Sequence, residues 1–324
     1  MKKEIYADSL ILGSGVNEQS FYLTSLAPVK GYKLQSSSMD GYILELQDRS
    51  GKVEGFIPLS MTPNNLGDFV NKVVSVTGIV LKSQEYIIKV EAIAEAKDYK
   101  PYDVILALSD EMRAKYEALL GKMVSSIVNE KYKALILGIY TKEHVKKMGT
   151  CPLSLKQYGN YCGAVLAATT TIANTALSMV SMFNSMGNGV YNTKIDRDIV
   201  LTACLLQYAG KVHEISTFPF KRTNEARQIG SVGVLQSLVF DTIRTKNLDM
   251  SMAEVSELLS YVIPSLNPKG QQKVITKEAS IVKSATEAYM LCDMKDKAVC
   301  DYTGSEELFY SPQLGQYCKN TKAV

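Results

Sequence analysis

The chain carries two histidines in 324 residues, His144 and His213. Imidazole is the side chain best suited to moving protons or binding transition metals near neutral pH. The two are distant in sequence, and each has lysines beside it: Glu143-His144-Val145-Lys146 and Lys211-Val212-His213-Glu214. That setting predicts surface residues. The six cysteines are Cys151, Cys162, Cys204, Cys292, Cys300 and Cys318, with no C-x-x-C pair. Zinc sites built from Cys and His need close spacing, which is missing here. Several of these cysteines fall in apolar stretches, where a reduced thiol acts as a small hydrophobe, so free thiols and a cytoplasmic location are expected. Gly13-Ser14-Gly15 starts like a dinucleotide loop, but Glu18 stands where the third glycine belongs and no βαβ pattern follows. There is no Walker motif, and no G-x-S-x-G elbow supports a triad assembled from distant positions. Asp196 and Asp198 lie at a predicted helix start, where carboxylates complement exposed N–H groups. Asp293 and Asp296 are one helical turn apart and lack further ligands. No metal and no cofactor is expected.

These side chains must be carried by two kinds of scaffold. Residues 1–100 read as β structure: short β-branched and aromatic runs separated by turns. Gly41–Asp48 alternates, with Tyr42, Leu44 and Leu46 on one face and Ile43, Glu45 and Gln47 on the other. A short turn then leads into Lys52–Leu59. A long first strand near Phe21–Leu34, this hairpin, a short helix near Asn64–Val70, and a second hairpin (Lys72–Leu81, Tyr86–Ala94, loop 82–85) follow the order of an OB-type β-barrel.

After Pro101 the apolar spacing becomes helical. It gives helices near Tyr116–Val128, Val165–Phe183 (ending at Met186–Gly189), Asp196–Ala209, Asn224–Arg244, a segment starting at Ser251-Met-Ala-Glu254 with a capping-box pattern, and Lys277–Met290. Met179, Met182 and Met186 are expected in a core. The expected fold class is α+β multidomain: barrel 1–100, helical connector 101–150, helical domain 151–298 and a C-terminal tail 299–324. The apolar run Gly163–Met182 is interrupted by Thr, Asn and Ser and reads as a buried helix, not a bilayer span. The first residues, with Glu4 and Asp8, contain no continuous apolar h-region. No membrane partner is expected. The net charge of +3 selects no anionic partner by itself.

In this order the motifs resemble the YhaM-type 3′→5′ exoribonucleases, which join an OB fold to an HD phosphohydrolase domain. Tyr42, Leu46, Asp48 and Gly51 resemble a conserved series of that family's β-domain. Pro152, Gly163, Asp198, Gly210-Lys211 and Glu287-Ala288 follow the order of its HD motifs. The resemblance places the family's paired histidines on about Tyr158 and Gly159, and its helix histidine on Ala168. Its His-Asp pair falls on Gln207-Tyr208 and a later histidine on Ser231. No counterpart of its final histidine motif occurs around Ser265–Gly270. HD enzymes hold metal ions that activate water. Ala168 cannot coordinate, Gln207 and Ser231 are weak neutral donors, and Tyr208 is a poor ligand near neutral pH. The resemblance therefore implies a degenerate, non-catalytic HD-like domain serving as scaffold or oligomerisation module.

The function expected first is single-stranded nucleic-acid binding on the barrel, which combines aromatic stacking with cationic contacts to the backbone. Its candidates are Lys33, Arg49, Lys52, Phe56, Lys82 and Tyr86. Phe56 lies on the face opposite Val53 and Ile57, free either to stack a base or to pack. Against this stands charge: residues 1–100 hold 11 Lys plus Arg and 12 Asp plus Glu. The alternatives are a structural or protein-interaction role, with a protein partner or a homo-oligomer, and an exonuclease with an atypical site that uses Asp198 and Lys211.

Overall fold

In a computed structural model, the chain divides into two compact units, Met1–Ala107 and Leu108–Val324. The structure describes residues 5–35, 37–82, 86–99, 101–155, 158–186, 194–216, 218, 220–266, 276–302, 304–312 and 314–321. Ser83–Glu85, Gln157 and most of the Met186–Gly189 and Ser265–Gly270 segments lie outside them.

The first unit is a closed five-stranded barrel with strand order β1-β2-β3-β5-β4. Its strands are β1 (Gly15–Leu34), β2 (Ser37–Asp48), β3 (Gly51–Pro58), β4 (Val73–Lys82) and β5 (Tyr86–Glu95). Neighbours are antiparallel except β3 and β5, and β1 closes the barrel by pairing with both β2 and β4. The layout is OB-like. The helix expected near Asn64 is a 3-10 turn, Leu66–Phe69. Leu44, Leu46, Val53, Ile57, Val74, Val76, Ile88 and Val90 fill the interior, as the period-2 alternation requires. A short helix α1 (Pro101–Val104) ends this unit.

β1 is long enough to do two jobs. Up to Tyr22 it pairs with β4. Beyond that it pairs only with β2, making an arm whose register shifts between Val29 and Tyr32. The arm folds over the outside of the barrel. Val29, Tyr32, Leu34 and Met39 pack on Phe56, Ile87, Ile43 and Leu81, forming a second, smaller core. Gly41 permits this: a Cβ there would lie 2.3 Å from the Ile57 carbonyl oxygen and 2.9 Å from the Phe56 ring.

The second unit is helical: α2 (Asp110–Ser125), α3 (Glu130–Ile139), α4 (Lys142–Met148), α5 (Ala164–Ser185), α6 (Arg197–Gln207), α7 (Lys211–Glu214), α8 (Asn224–Lys246), α9 (Met252–Leu266) and α10 (Lys277–Asp301). Side chains of Ser109, Asn129, Thr141, Asp196, Thr223 and Thr276 cap α2, α3, α4, α6, α8 and α10, each accepting from an otherwise orphaned N–H. The capping box of α9 forms as the sequence predicts, with reciprocal Ser251–Glu254 bonds of 2.7 and 3.2 Å. α8 is broken at Gly230 (φ 69°, ψ 175°), a conformation open essentially to glycine alone.

The segment read as a connector is part of this unit. Leu120, Met123, Leu135, Ile136 and Met148 share one hydrophobic core with α5, α6, α9 and α10. The tail also has structure: β6 (Leu308–Ser311) pairs with β7 (Gln316–Lys319), and Phe309 and Cys318 pack on Ala298 and Val299 of α10. α5 is long and apolar enough to cross a membrane, but 56% of its most apolar stretch is buried within the fold. The methionine expectation fails at its end, where Met182 and Met186 are exposed.

Candidate functional site

The six barrel residues do not form one surface. Lys33 flanks Leu34, Lys82 flanks Leu81 and Tyr86 flanks Ile87. Those three apolar neighbours belong to the outer cluster; alternation along a strand turns a residue and its immediate neighbour to opposite faces, so sequence adjacency alone does not place the three polar residues on the cluster. Lys82 lies directly opposite Tyr86 in the β4–β5 register, and all three are exposed. Lys30, on the same arm, is exposed too; alternation along the bulged arm does not reveal it.

Phe56 is fully buried in that cluster, its ring stacked on Tyr32 at 4.9 Å between centroids. It cannot offer a face to a base, because the arm already covers it. Arg49 and Lys52 stand at the other end of the β2–β3 hairpin. Lys33 pairs with Ser38 and Lys52 with Gln47, which separates them by about 30 Å of strand at the usual rise per residue. Arg49 lies over the Tyr6 ring at 4.3 Å and 3.8 Å from Asp103. Lys52 bonds Glu45 at 2.8 Å. Desolvation pushes the Glu45 carboxyl upward, but hydrogen bonds from Lys52 and Thr24 outweigh it and hold the group below its ordinary range. Glu45 also faces Glu54 across the β2–β3 register, so this stretch of sheet repels phosphate.

In the helical unit, the positions that the resemblance aligns with metal ligands are occupied by packing. Ala168 is fully buried in α5, and Gln207 and Tyr208 are buried at the end of α6. Gln207 Oε1 accepts from the Thr286 hydroxyl at 3.0 Å. Burial pushes the Tyr208 phenol far above its ordinary range, with Tyr158 adding to the shift. Tyr158 is raised by burial and then by the charge of Asp293. The Gly159 N–H donates to Asp293 Oδ2 at 2.6 Å. Burial, the Gly159 N–H notwithstanding, leaves the Asp293 carboxyl above its usual range. Tyr161 and Tyr289 meet through their hydroxyls at 3.4 Å. Tyrosines, an amide and one carboxylate are a poor donor set for a metal ion. Among the described residues, no group of three or more His, Cys, Asp or Glu side chains could hold a metal ion.

Ser231 stands apart from this group. Its hydroxyl donates to Glu214 Oε2 at 2.8 Å, and the Lys211 ammonium donates to Glu214 at 2.9 Å and to Ser231 at 3.3 Å. The triangle pins α7 to the break in α8. Asp198 is equally committed: its Oδ2 accepts from the Val128 and Asn129 N–H groups, both at 2.7 Å. Asp196 caps α6, as its place at a helix start predicts.

The surface expectation fails for His144. It is buried, its ring 5.4 Å from Tyr140 and 5.7 Å from His213, and its Nε2 has no hydrogen-bond partner among the described residues. Desolvation, then His213 and Lys147, push its pKa down to about 4. His213 is exposed, and desolvation, then Lys147, lower it too. His144 and Met148, four residues apart, share the buried face of the short helix α4. Cys151, Cys162, Cys204 and Cys318 are buried, and burial raises the Cys151, Cys162 and Cys204 thiols to about 12.

No family model matches the chain, and no curated protein matches it either.

Proposed function

We propose that this chain is a non-catalytic single-stranded nucleic-acid-binding protein, built from an OB-type barrel and an HD-like helical scaffold. The observation that supports this reading is Lys82 directly opposite Tyr86 in the β4–β5 register, both exposed, with Lys30 and Lys33 exposed along β1. Lysines around an exposed tyrosine supply the phosphate contacts and the stacking platform that single strands need. Arg49, Lys52 and Phe56 leave the contact list and become structural. In the helical unit, the two groups that the hydrolytic alternative requires are spent: Asp198 on backbone amides and Lys211 on Glu214 and Ser231. Titration of labelled oligo(U) and oligo(dT) at low salt tests the reading. Lys33→Glu/Lys82→Glu is expected to weaken binding about tenfold or more and to lessen its salt dependence. Unchanged affinity would overturn the barrel assignment.

One observation favours a protein-interaction role as the second reading. The Glu45–Glu54 pair occupies the outer β2–β3 sheet, where an OB barrel would lay a polyanion. Absence of oligonucleotide binding, together with a solution mass above that of the monomer, would move the function there.

A further inference from the structure

The chain between α7 and α8 turns back on itself. Ile215 and Arg222 form a β-bridge. The Ser216 N–H donates to the Lys221 carbonyl at 2.9 Å, and the Lys221 N–H returns to Ser216 Oγ at 3.1 Å. Thr223 then anchors the loop's exit, with its N–H on the Glu214 carbonyl at 2.8 Å and its hydroxyl on the His213 carbonyl at 3.1 Å. Within this closed loop Phe218 and Phe220 pack edge to face at 5.6 Å, both half-buried. Lys221 and Arg222 are exposed and take part in no ion pair among the described residues. His213 is exposed beside the loop. The neighbouring carboxylates are largely committed, Glu143 to Lys147 at 2.9 Å and the buried Glu214 to Lys211; Glu225 follows in the first turn of α8.

We infer that this loop is a second contact for single-stranded nucleic acid, with Lys221 and Arg222 on phosphates and Phe218 against a base. It takes the class of ligand from the reading of the barrel; the site itself stands on the loop. Exposed cations in the same short loop as two aromatic rings make a combination that binds single strands without sequence preference.

The test is fluorescence anisotropy of the full chain with labelled oligo(U) over a salt series. Lys221→Glu/Arg222→Glu is expected to weaken binding about tenfold or more at low salt. The slope of log K against log salt should flatten by about 1.4, at roughly 0.7 per lost single-strand phosphate contact. Phe218→Leu, which keeps apolar bulk, is expected to cost about tenfold with the slope unchanged. Unaltered far-ultraviolet circular dichroism in both variants shows that the helical unit is intact. If Lys221→Glu/Arg222→Glu binds like the parent while Lys33→Glu/Lys82→Glu does not, the loop is excluded and the barrel stands. The opposite pattern removes the barrel and keeps the loop. A parent chain that binds no oligonucleotide, or binds only vesicles containing phosphatidylserine, overturns both.

Discussion

The barrel and the helical unit bury polar groups differently. Asp48 is fully buried in the barrel, and its carboxylate is saturated. Oδ2 accepts from the Ala7 N–H at 2.8 Å, and Oδ1 from the Ser50 N–H and hydroxyl at 2.9 and 2.6 Å. In the helical unit, His144 Nε2, Thr169 Oγ1 and Thr202 Oγ1 are buried with no partner among the described residues. Each such group forfeits roughly 1–3 kcal/mol of desolvation without a compensating bond. The barrel's buried carboxylate is matched by donors, whereas the helical unit, beside its satisfied polar groups, also buries a few that have no partner among the described residues.

If this contrast is right, the largest loss comes from emptying the barrel's outer cluster. Phe56→Ala removes the ring on which Tyr32 and the arm rest. It is expected to cost about 3–5 kcal/mol and to speed amide exchange in Val29–Leu34 and Ser37–Ile43 before the rest of the barrel. Exchange that rises uniformly across the barrel would mean the arm is not held by this contact.

Acid should act next, and first on the helical unit. The folded pKa of His144, about 4, lies below its ordinary 6.5, so between those values the unfolded chain binds the proton and the folded chain does not. Stability is therefore complete above pH 6.5 and declines as pH falls toward 4, by about 3 kcal/mol in all. Denaturant midpoints measured across this range should flatten in His144→Phe, which keeps the stacking on Tyr140 and removes the titration. A slope that persists in the variant would assign the acid sensitivity elsewhere.

Much of this layout is legible in the sequence, and the failures share one cause. Alternation along β2 and β3 identifies Leu44, Leu46, Val53 and Ile57 as the barrel interior, because one face of a strand has one environment. It also puts Phe56 on the outer face. What it does not carry is that another part of the chain covers that face, because the arm reaches it only through an irregular register and the missing Cβ of Gly41. In the helical unit the long amphipathic segments and their caps are readable. α3 and α4 are capped by Asn129 and Thr141 but are too short for periodicity alone to reveal. The i,i+3 pair Lys211–Glu214 lies within one helical turn, whereas its third member, Ser231, arrives by tertiary packing. For the same reason two histidines distant in sequence, each among lysines, meet in space.

The barrel's carboxylate gives the converse of the helical prediction. Asp48→Ala leaves the Ala7 and Ser50 N–H groups without their acceptor and is expected to cost about 2–3 kcal/mol. Hydrogen exchange should report that loss at the β2–β3 turn and in residues 5–9 together, since the side chain bridges them. Exchange confined to the turn would show that the N-terminal segment is held by other contacts.

The smallest effect has the opposite sign, and it tests the contrast most directly. Thr202 is fully buried in α6, and its hydroxyl has no partner among the described residues. Valine matches threonine in shape and exchanges the hydroxyl for a methyl group. At most buried sites that exchange costs stability, because the hydroxyl was bonded. Here it should stabilise the helical unit by about 1 kcal/mol, read as a higher denaturant midpoint with unchanged slope. The same logic applies to Thr169→Val on α5. It does not apply to Thr286→Val: that hydroxyl has its one proton within hydrogen-bond reach of two acceptors, the Val282 carbonyl at 2.7 Å and Gln207 Oε1 at 3.0 Å, and its loss should destabilise. The three threonines thus form an internal control, alike in chemistry and burial and different only in hydrogen bonding. Should Thr202→Val and Thr169→Val both destabilise as Thr286→Val does, the helical interior satisfies its hydroxyls after all, and the difference between the two units disappears.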